Sequence, residues 1–120
     1  MSKKKNSVFV KNLKTFQSDF TGENREYRIN NALWVFLKTD FDLTQIEWAE
    51  AYDKGQAQYG SMFATALLKA NGHEVSYEEV LENTDVEDIS NLIMSYSQGL
   101  YKDLSEKEND EEDDDEESPS

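Results

Sequence analysis

The fold is decided by residues 56–70, which read QAQYGSMFATALLKA. On a helical wheel one face is apolar and carries Tyr59, Met62, Phe63, Ala66 and Ala70. Leu67 and Leu68 widen that face. The polar strip that remains consists of Ser61, Thr65 and Lys69. We therefore expect a helix from about Gln56 to Ala70 that is the most buried in the fold and is stopped by Asn71-Gly72.

Side chains that cap helices mark further helix starts on both sides of this stretch. They are Asn30 or Asn31, Thr44 with Glu47, Ser76 with Glu79, and Thr84 with Glu87. Breaks are expected at residues 40–43 and at Gly55, and the last helix should run to about Leu104. Two segments before the first helix have the alternating side-chain pattern of strands. They are Ser7 to Leu13 (SVFVKNL) and Arg25 to Ile29 (REYRI), with a turn at 21–24.

The acidity of the chain is concentrated at its C-terminal end. Residues 103–120 hold eleven Asp and Glu against one Lys, a net charge of -10, whereas the first 102 residues hold fifteen acidic and eleven basic side chains, a net charge of -4. Leu104 is the only large apolar side chain from residue 102 onward, so this segment cannot bury enough surface to offset the entropy of ordering it. We predict a disordered N-terminus at 1–6, a domain at 7–102 and a disordered acidic tail at 103–120.

The predicted fold class is mainly α, a small helical domain of four to five helices with a short N-terminal β-hairpin. The scarcity of Lys and Arg disfavours binding to nucleic acid or to an anionic membrane. No apolar window approaches the roughly 20 residues of a membrane span, and the lack of Cys excludes disulfides and thiolate metal sites. We expect a cytoplasmic protein.

Groups suited to catalysis are scarce. His73 is the single histidine, in a predicted loop, with no second His or Cys to complete a metal site or a nucleophile pair. The five Gly stand apart, without the spacing of a phosphate-binding loop. Most carboxylates lie in the tail or at helix starts, where they offset the helix dipole. We predict a protein that is not an enzyme and that has no cofactor or metal.

The last helix carries two apolar stripes. The first has the spacing of a core-facing seam and consists of Ile89, Leu92, Ile93, Tyr96 and Leu100. Met94 and Tyr101 fall roughly 120 degrees away, one heptad apart. Two interpretations stay open. This second stripe belongs to a wide buried face, or it contacts another protein, a task to which Met and Tyr are well suited.

One known family shows a similar order of elements over roughly residues 25–102. A strand ending in Tyr27-Arg28-Ile29 precedes a helix opening with Asn31-Ala32-Leu33. The apolar helix Met62 to Ala70, the segment ANGHEVSYEEV at 70–80 and a closing helix around Ile89 to Tyr101 follow. This pattern resembles the tail assembly chaperones of long-tailed bacteriophages, the siphophage type.

The resemblance implies a chaperone that binds and solubilises the tape-measure protein and helps to recruit tail-tube subunits in the host cytoplasm. Such a protein is absent from the mature virion, and many members also have a longer, frameshifted form. We expect the partner to contact Met94 and Tyr101, together with part of the face formed by Tyr59, Met62 and Phe63. Two alternatives remain: an acidic inhibitor or DNA mimic acting on a host enzyme, and a structural tail or neck protein.

Overall fold

The computed structural model describes residues 8–9 and 12–117, with side chains described through Tyr101. Along this part of the chain lie, in order, β1 (Thr15–Ser18), β2 (Arg25–Arg28), α1 (Asn31–Phe41), α2 (Gln45–Tyr52), α3 (Gln56–Ala70), α4 (Tyr77–Asn83) and α5 (Val86–Glu117). The fold is therefore mainly helical with an N-terminal antiparallel hairpin, as predicted. None of these helices is long and apolar enough to cross a membrane.

The centre of the fold is α3, which contacts α1, α2, α4 and α5. Its bounds match the predicted ones, and Phe63, Ala64, Ala66 and Leu67 are fully buried. Two residues of the expected polar strip are buried as well. Ser61 Oγ donates to the carbonyl of Ala57 at 2.6 Å, and Thr65 Oγ1 donates to that of Ser61 at 2.8 Å. These bonds to the preceding turn satisfy both hydroxyls, so they can be buried in a helix that is covered on most sides.

Local hydrogen bonds fix the helix starts where the sequence predicts them, with one shift. Asn30 Oδ1 accepts from the backbone N–H of Leu33, and Thr44 and Glu47 form both bonds of a capping box. Before α4, Ser76 accepts from the N–H of Glu79.

The start of α5 differs from the prediction, because Asp85 and Asp88 form the reciprocal pair instead of Thr84 and Glu87. Asp85 Oδ1 accepts from the N–H of Asp88 at 2.9 Å, and Asp88 Oδ2 accepts from that of Asp85 at 3.0 Å. The hydroxyl of Thr84 donates instead to the carbonyl of Val80 at 2.7 Å. Two capping pairs, offset by one residue, compete here, and the pair with two carboxylates prevails.

The first strand is not where the sequence predicted it. Among residues 7–13, those that the structure describes (8, 9, 12 and 13) are not in a strand, and β1 lies at Thr15–Ser18. The pairing is set by the tight turn at 19–24, in which Gly22 takes a φ of 101°. This turn places Phe16 opposite Tyr27. The strand that forms is one that contacts α5. The second strand is confirmed.

The hairpin is joined to α3 by one side chain, that of Asn71 just beyond the end of the helix. Its Oδ1 accepts from the N–H of Arg28 at 2.8 Å, while its Nδ2 donates to the carbonyls of Arg28 at 3.3 Å and Leu67 at 3.0 Å. At the next residue the predicted stop is confirmed, because Gly72 takes a φ of 92° and the N–H of His73 bonds the carbonyl of Leu68.

The last helix extends past its predicted end near Leu104. The backbone of α5 runs to Glu117. The predicted disordered N-terminus at 1–6 lies outside the described residues, as do the side chains of the predicted disordered tail at 103–120, so both stay predictions. Near the end of the described side chains, Lys14 Nζ donates to the carbonyl of Leu100 at 3.0 Å and ties the start of the hairpin to α5.

Two glycines allow α5 to approach its neighbours closely. A Cβ on Gly60 of α3 would collide with the Cγ2 of Ile89, and a Cβ on Gly99 of α5 would lie 2.6 Å from the Cβ of Phe16 and 2.9 Å from the backbone oxygen of Thr15. A backbone oxygen in a paired strand cannot move aside as a side chain can. The position of α5 on the hairpin therefore requires glycine at 99.

Gly99→Ala should lower the free energy of unfolding by roughly 1–3 kcal/mol, because the added methyl group overpacks this contact. This sign is opposite to the gain of about 1 kcal/mol that Ala gives over Gly in an unconstrained helix. Urea unfolding followed by circular dichroism measures the effect. Ser97→Ala, at a half-buried site on the same helix, is the control and should change stability by less than about 0.5 kcal/mol. A Gly99→Ala variant as stable as the wild type would contradict the packing described.

Candidate interaction surface

An aromatic cluster forms the core behind the candidate surface, and Phe63 is its centre. The Phe63 ring stacks on Trp48 at 4.9 Å between centroids, meets Tyr96 edge-on at 4.8 Å and lies 6.1 Å from Trp34. Phe63 is 0% exposed. Although we expected it among the partner-binding residues, the structure places it in the core, because α1, α2 and α5 all close over this part of α3.

Tyr59 and Met62 are half-buried on α3 and pack against the edge of this core. The carbonyl of Tyr59 accepts a hydrogen bond of 2.8 Å from Trp48 Nε1, which fixes the start of α3 against α2. Each of these two side chains therefore has one side in the core and one side accessible. Their main contacts are structural, and they offer a partner only part of their surface.

Met94 and Tyr101 lie on the outside of α5. They are 54% and 56% exposed, whereas Ile89, Leu92 and Tyr96 of the predicted core seam are buried. The interpretation of a wide buried face is therefore wrong for these two residues. Packing of this buried seam fixes the orientation of α5 about its axis, so Met94 and Tyr101 face solvent.

The exposed side of α5 around these two residues carries no charge. Residues 89–101 read ISNLIMSYSQGLY, without a single Asp, Glu, Lys, Arg or His, in a chain in which 32% of residues are charged. The exposed members are Ser90, Asn91, Met94, Gln98 and Tyr101. Depletion of charge, with Met and aromatic residues in its place, is characteristic of the centre of protein interfaces. We call Ser90, Met94, Ser97, Gln98 and Tyr101 the α5 face.

The α5 face has the spacing of a helix-pairing seam. Ser90, Met94, Ser97 and Tyr101 follow one another at intervals of four, three and four residues. This is the alternation by which one helix lies along another. At 1.5 Å per residue the seam is roughly 16 Å long, about three helical turns. Other exposed apolar side chains, such as Val35 on α1 and Ile46 on α2, lack such a continuation along their helices.

Two grooves of the described structure do not combine groups for chemistry. One, of about 360 Å³, lies between the hairpin and α5, and Glu26 is its single ionisable side chain. The other, of about 280 Å³, lies between the hairpin turn, α3 and α4, and Glu79 is its single ionisable side chain. No group of three His, Asp or Glu among the described residues is placed to hold a metal ion. His73 is half-buried, with its ring 6.5 Å from that of Tyr27.

Comparison with known proteins finds no relative of this chain. No family model, no curated protein and no solved structure matches the chain.

The buried phenol of Tyr96 makes stability depend on pH above 10. Burial, with a smaller contribution from the charge of Tyr101, raises the pKa of Tyr96 from its ordinary value near 10 to about 12. The folded state thus holds this proton more tightly than the unfolded state does. The resulting stability is complete below pH 10 and is lost as pH rises through 12, by roughly 3 kcal/mol.

We expect the free energy of unfolding to fall between pH 10 and pH 12, and to fall less steeply in Tyr96→Phe. Urea unfolding at a series of pH values measures this dependence, and absorbance at 295 nm follows the phenols directly. Tyr101→Phe alters an exposed phenol and removes only the smaller contribution to the pKa of Tyr96, so it should change the slope less than Tyr96→Phe does. Equal slopes for wild type and Tyr96→Phe would show that Tyr96 is not the buried phenol responsible.

Proposed function

We propose that this protein is a tail assembly chaperone of a long-tailed bacteriophage. In this role it binds the tape-measure protein, keeps it soluble and helps to recruit tail-tube subunits, without catalysis and without a cofactor. One observation supports the proposal above all: the α5 face is largely exposed, uncharged and spaced for a helix, with Met94 and Tyr101 as its two large apolar side chains. The order of elements along residues 25–102, which resembles that family, supplies the identity of the partner.

The α5 face suits a long, helical and apolar partner. Met adapts its shape to irregular apolar surfaces, and Tyr contributes a large contact area with few rotatable bonds. Behind the face, Leu92 and Tyr96 are locked in the core. A rigid surface loses little entropy when it binds, so even a short seam can contribute useful affinity.

The distribution of charge supports the solubilising part of the role. Residues 103–120 carry a net charge of -10 and adjoin the α5 face along the chain. Like charge keeps complexes apart, so a partner that aggregates alone would stay dispersed once several copies had bound it. Under this proposal the protein acts in the host cytoplasm and is absent from the finished virion.

A second candidate, an acidic inhibitor that mimics DNA on a host enzyme, is favoured by the same charge. A mimic needs carboxylates held at phosphate-like spacing on a folded surface, and the first 102 residues have a net charge of only -4. Deleting residues 105–120 separates the two candidates. A mimic would lose its target, whereas a chaperone that uses the α5 face would still bind its partner.

Met94→Asp and Tyr101→Asp should each weaken binding of the tape-measure protein by about tenfold or more, since a buried, unpaired carboxylate costs well over 1.4 kcal/mol. The measurement is the soluble fraction of tape-measure protein on co-expression, together with affinity for a purified fragment. Val35→Asp is the matched control, because Val35 is 60% exposed and lies on α1.

Both α5 substitutions are at exposed positions, so the variants should fold, and circular dichroism checks this. If the folded double variant solubilised the tape-measure protein as well as the wild type does, the α5 face would not be the binding site. Recovery of the protein as a component of purified virions would instead indicate a structural tail or neck protein.

A further inference from the structure

The two parts of α5 differ sharply in charge. Residues 89–101 carry none, while residues 103–117 carry eleven acidic side chains and one Lys. The backbone of α5 runs through both parts. In the sequence, Leu104 lies three residues after Tyr101 and so continues the 4-3-4 spacing of the α5 face. We call residues 103–117 the acidic segment. A partner helix that follows the α5 face along the helix axis therefore reaches the acidic segment next.

A second copy of the chain is a poor occupant of this surface. Parallel pairing of two α5 helices would place two segments of net charge -10 side by side. Antiparallel pairing would place each acidic segment near the start of the other α5, where Glu87 and Asp88 lie. Both arrangements bring like charges together, which opposes association.

A basic partner would stabilise the acidic segment as a helix. Like charges three and four residues apart destabilise a helix, and negative charge towards the C-terminal end opposes the helix dipole. Positive charges placed alongside would relieve both effects. The preference concerns protein and not nucleic acid, because a polyanion would add to the repulsion.

We infer that the partner segment is a bipartite helix, in which an apolar block of about three turns lies on the α5 face and an adjoining block rich in Lys and Arg lies along residues 103–117. The inference rests on the proposed function, since it specifies the chemistry of the helical partner. The apolar block provides contact area, and the basic block provides charge complementarity. Because the two blocks are covalently joined, binding of one raises the effective concentration of the other.

Synthetic helical peptides provide the test. One peptide has an apolar heptad seam followed by a block of Lys and Arg, and a second has the two blocks in reverse order. A third has Gln in place of every Lys and Arg, and a fourth is the basic block alone. Dissociation constants for the full chain are measured by fluorescence anisotropy at low and moderate salt. The tighter of the two bipartite orders shows whether the partner runs parallel or antiparallel to α5.

At low salt the better bipartite peptide should bind at least tenfold more tightly than either the Gln peptide or the basic block alone, and added salt should reduce this advantage. A variant with Asn and Gln in place of the acidic residues at 103–117 should lose the salt dependence but still bind the Gln peptide. Met94→Asp should weaken the Gln peptide and the bipartite peptide alike, and Val35→Asp should change neither.

Two results would overturn the inference. In one, the charge-neutralised variant binds the bipartite peptide as tightly as the wild type does, so the acidic segment contributes nothing. In the other, the basic block alone binds as tightly as the bipartite peptide, so the α5 face contributes nothing.

The proposed function can fail separately. If the charge-neutralised variant solubilised tape-measure protein as well as the wild type, while Met94→Asp did not, the chaperone role would stand and the bipartite partner would not. If the bipartite peptide bound as expected but tape-measure protein did not bind, the surface would stand and the identity of its partner would be wrong.

Discussion

At Gly60 the backbone of α3 lies so close to Ile89 that a Cβ does not fit between them, and at Gly99 the backbone of α5 is equally close to β1. These two contacts hold α5 at two points ten residues apart, one against the central helix and one against the hairpin. A helix fixed at two points along its length can neither slide nor rotate freely. The aromatic cluster, the hairpin and the exposed side of α5 all take their positions from this constraint.

Much of the fold follows from local patterns that the sequence shows directly. The bounds of α3 were predictable because an apolar stretch is closed by Asn71-Gly72, whose geometry depends on neighbouring residues alone. The capping box at Thr44 and Glu47 was predictable for the same reason. β1 was missed because TFQS is less apolar than SVFV, and its selection depends on contact with Gly99, far along the chain.

The candidate surface was only partly predictable. A helical wheel separates Met94 from the seam of Ile89 and Leu92, but it does not say which other elements cover each stripe. The same limitation affected Phe63, which the wheel placed with Met62 on one apolar face. In the fold, three helices close over Phe63 and leave Met62 at the edge. Exposure is a property of the assembled elements, so no single-helix pattern could decide it.

The bonds between Asn71 and Arg28 have a consequence beyond joining the hairpin to α3. A two-stranded sheet has unpaired backbone groups along its outer edges, and such edges can recruit strands from other molecules. Asn71 occupies both the N–H and the carbonyl of Arg28, as a neighbouring strand would. One amide side chain therefore covers the outward-facing backbone groups of Arg28 and leaves fewer groups on this edge for a strand of another molecule to pair with.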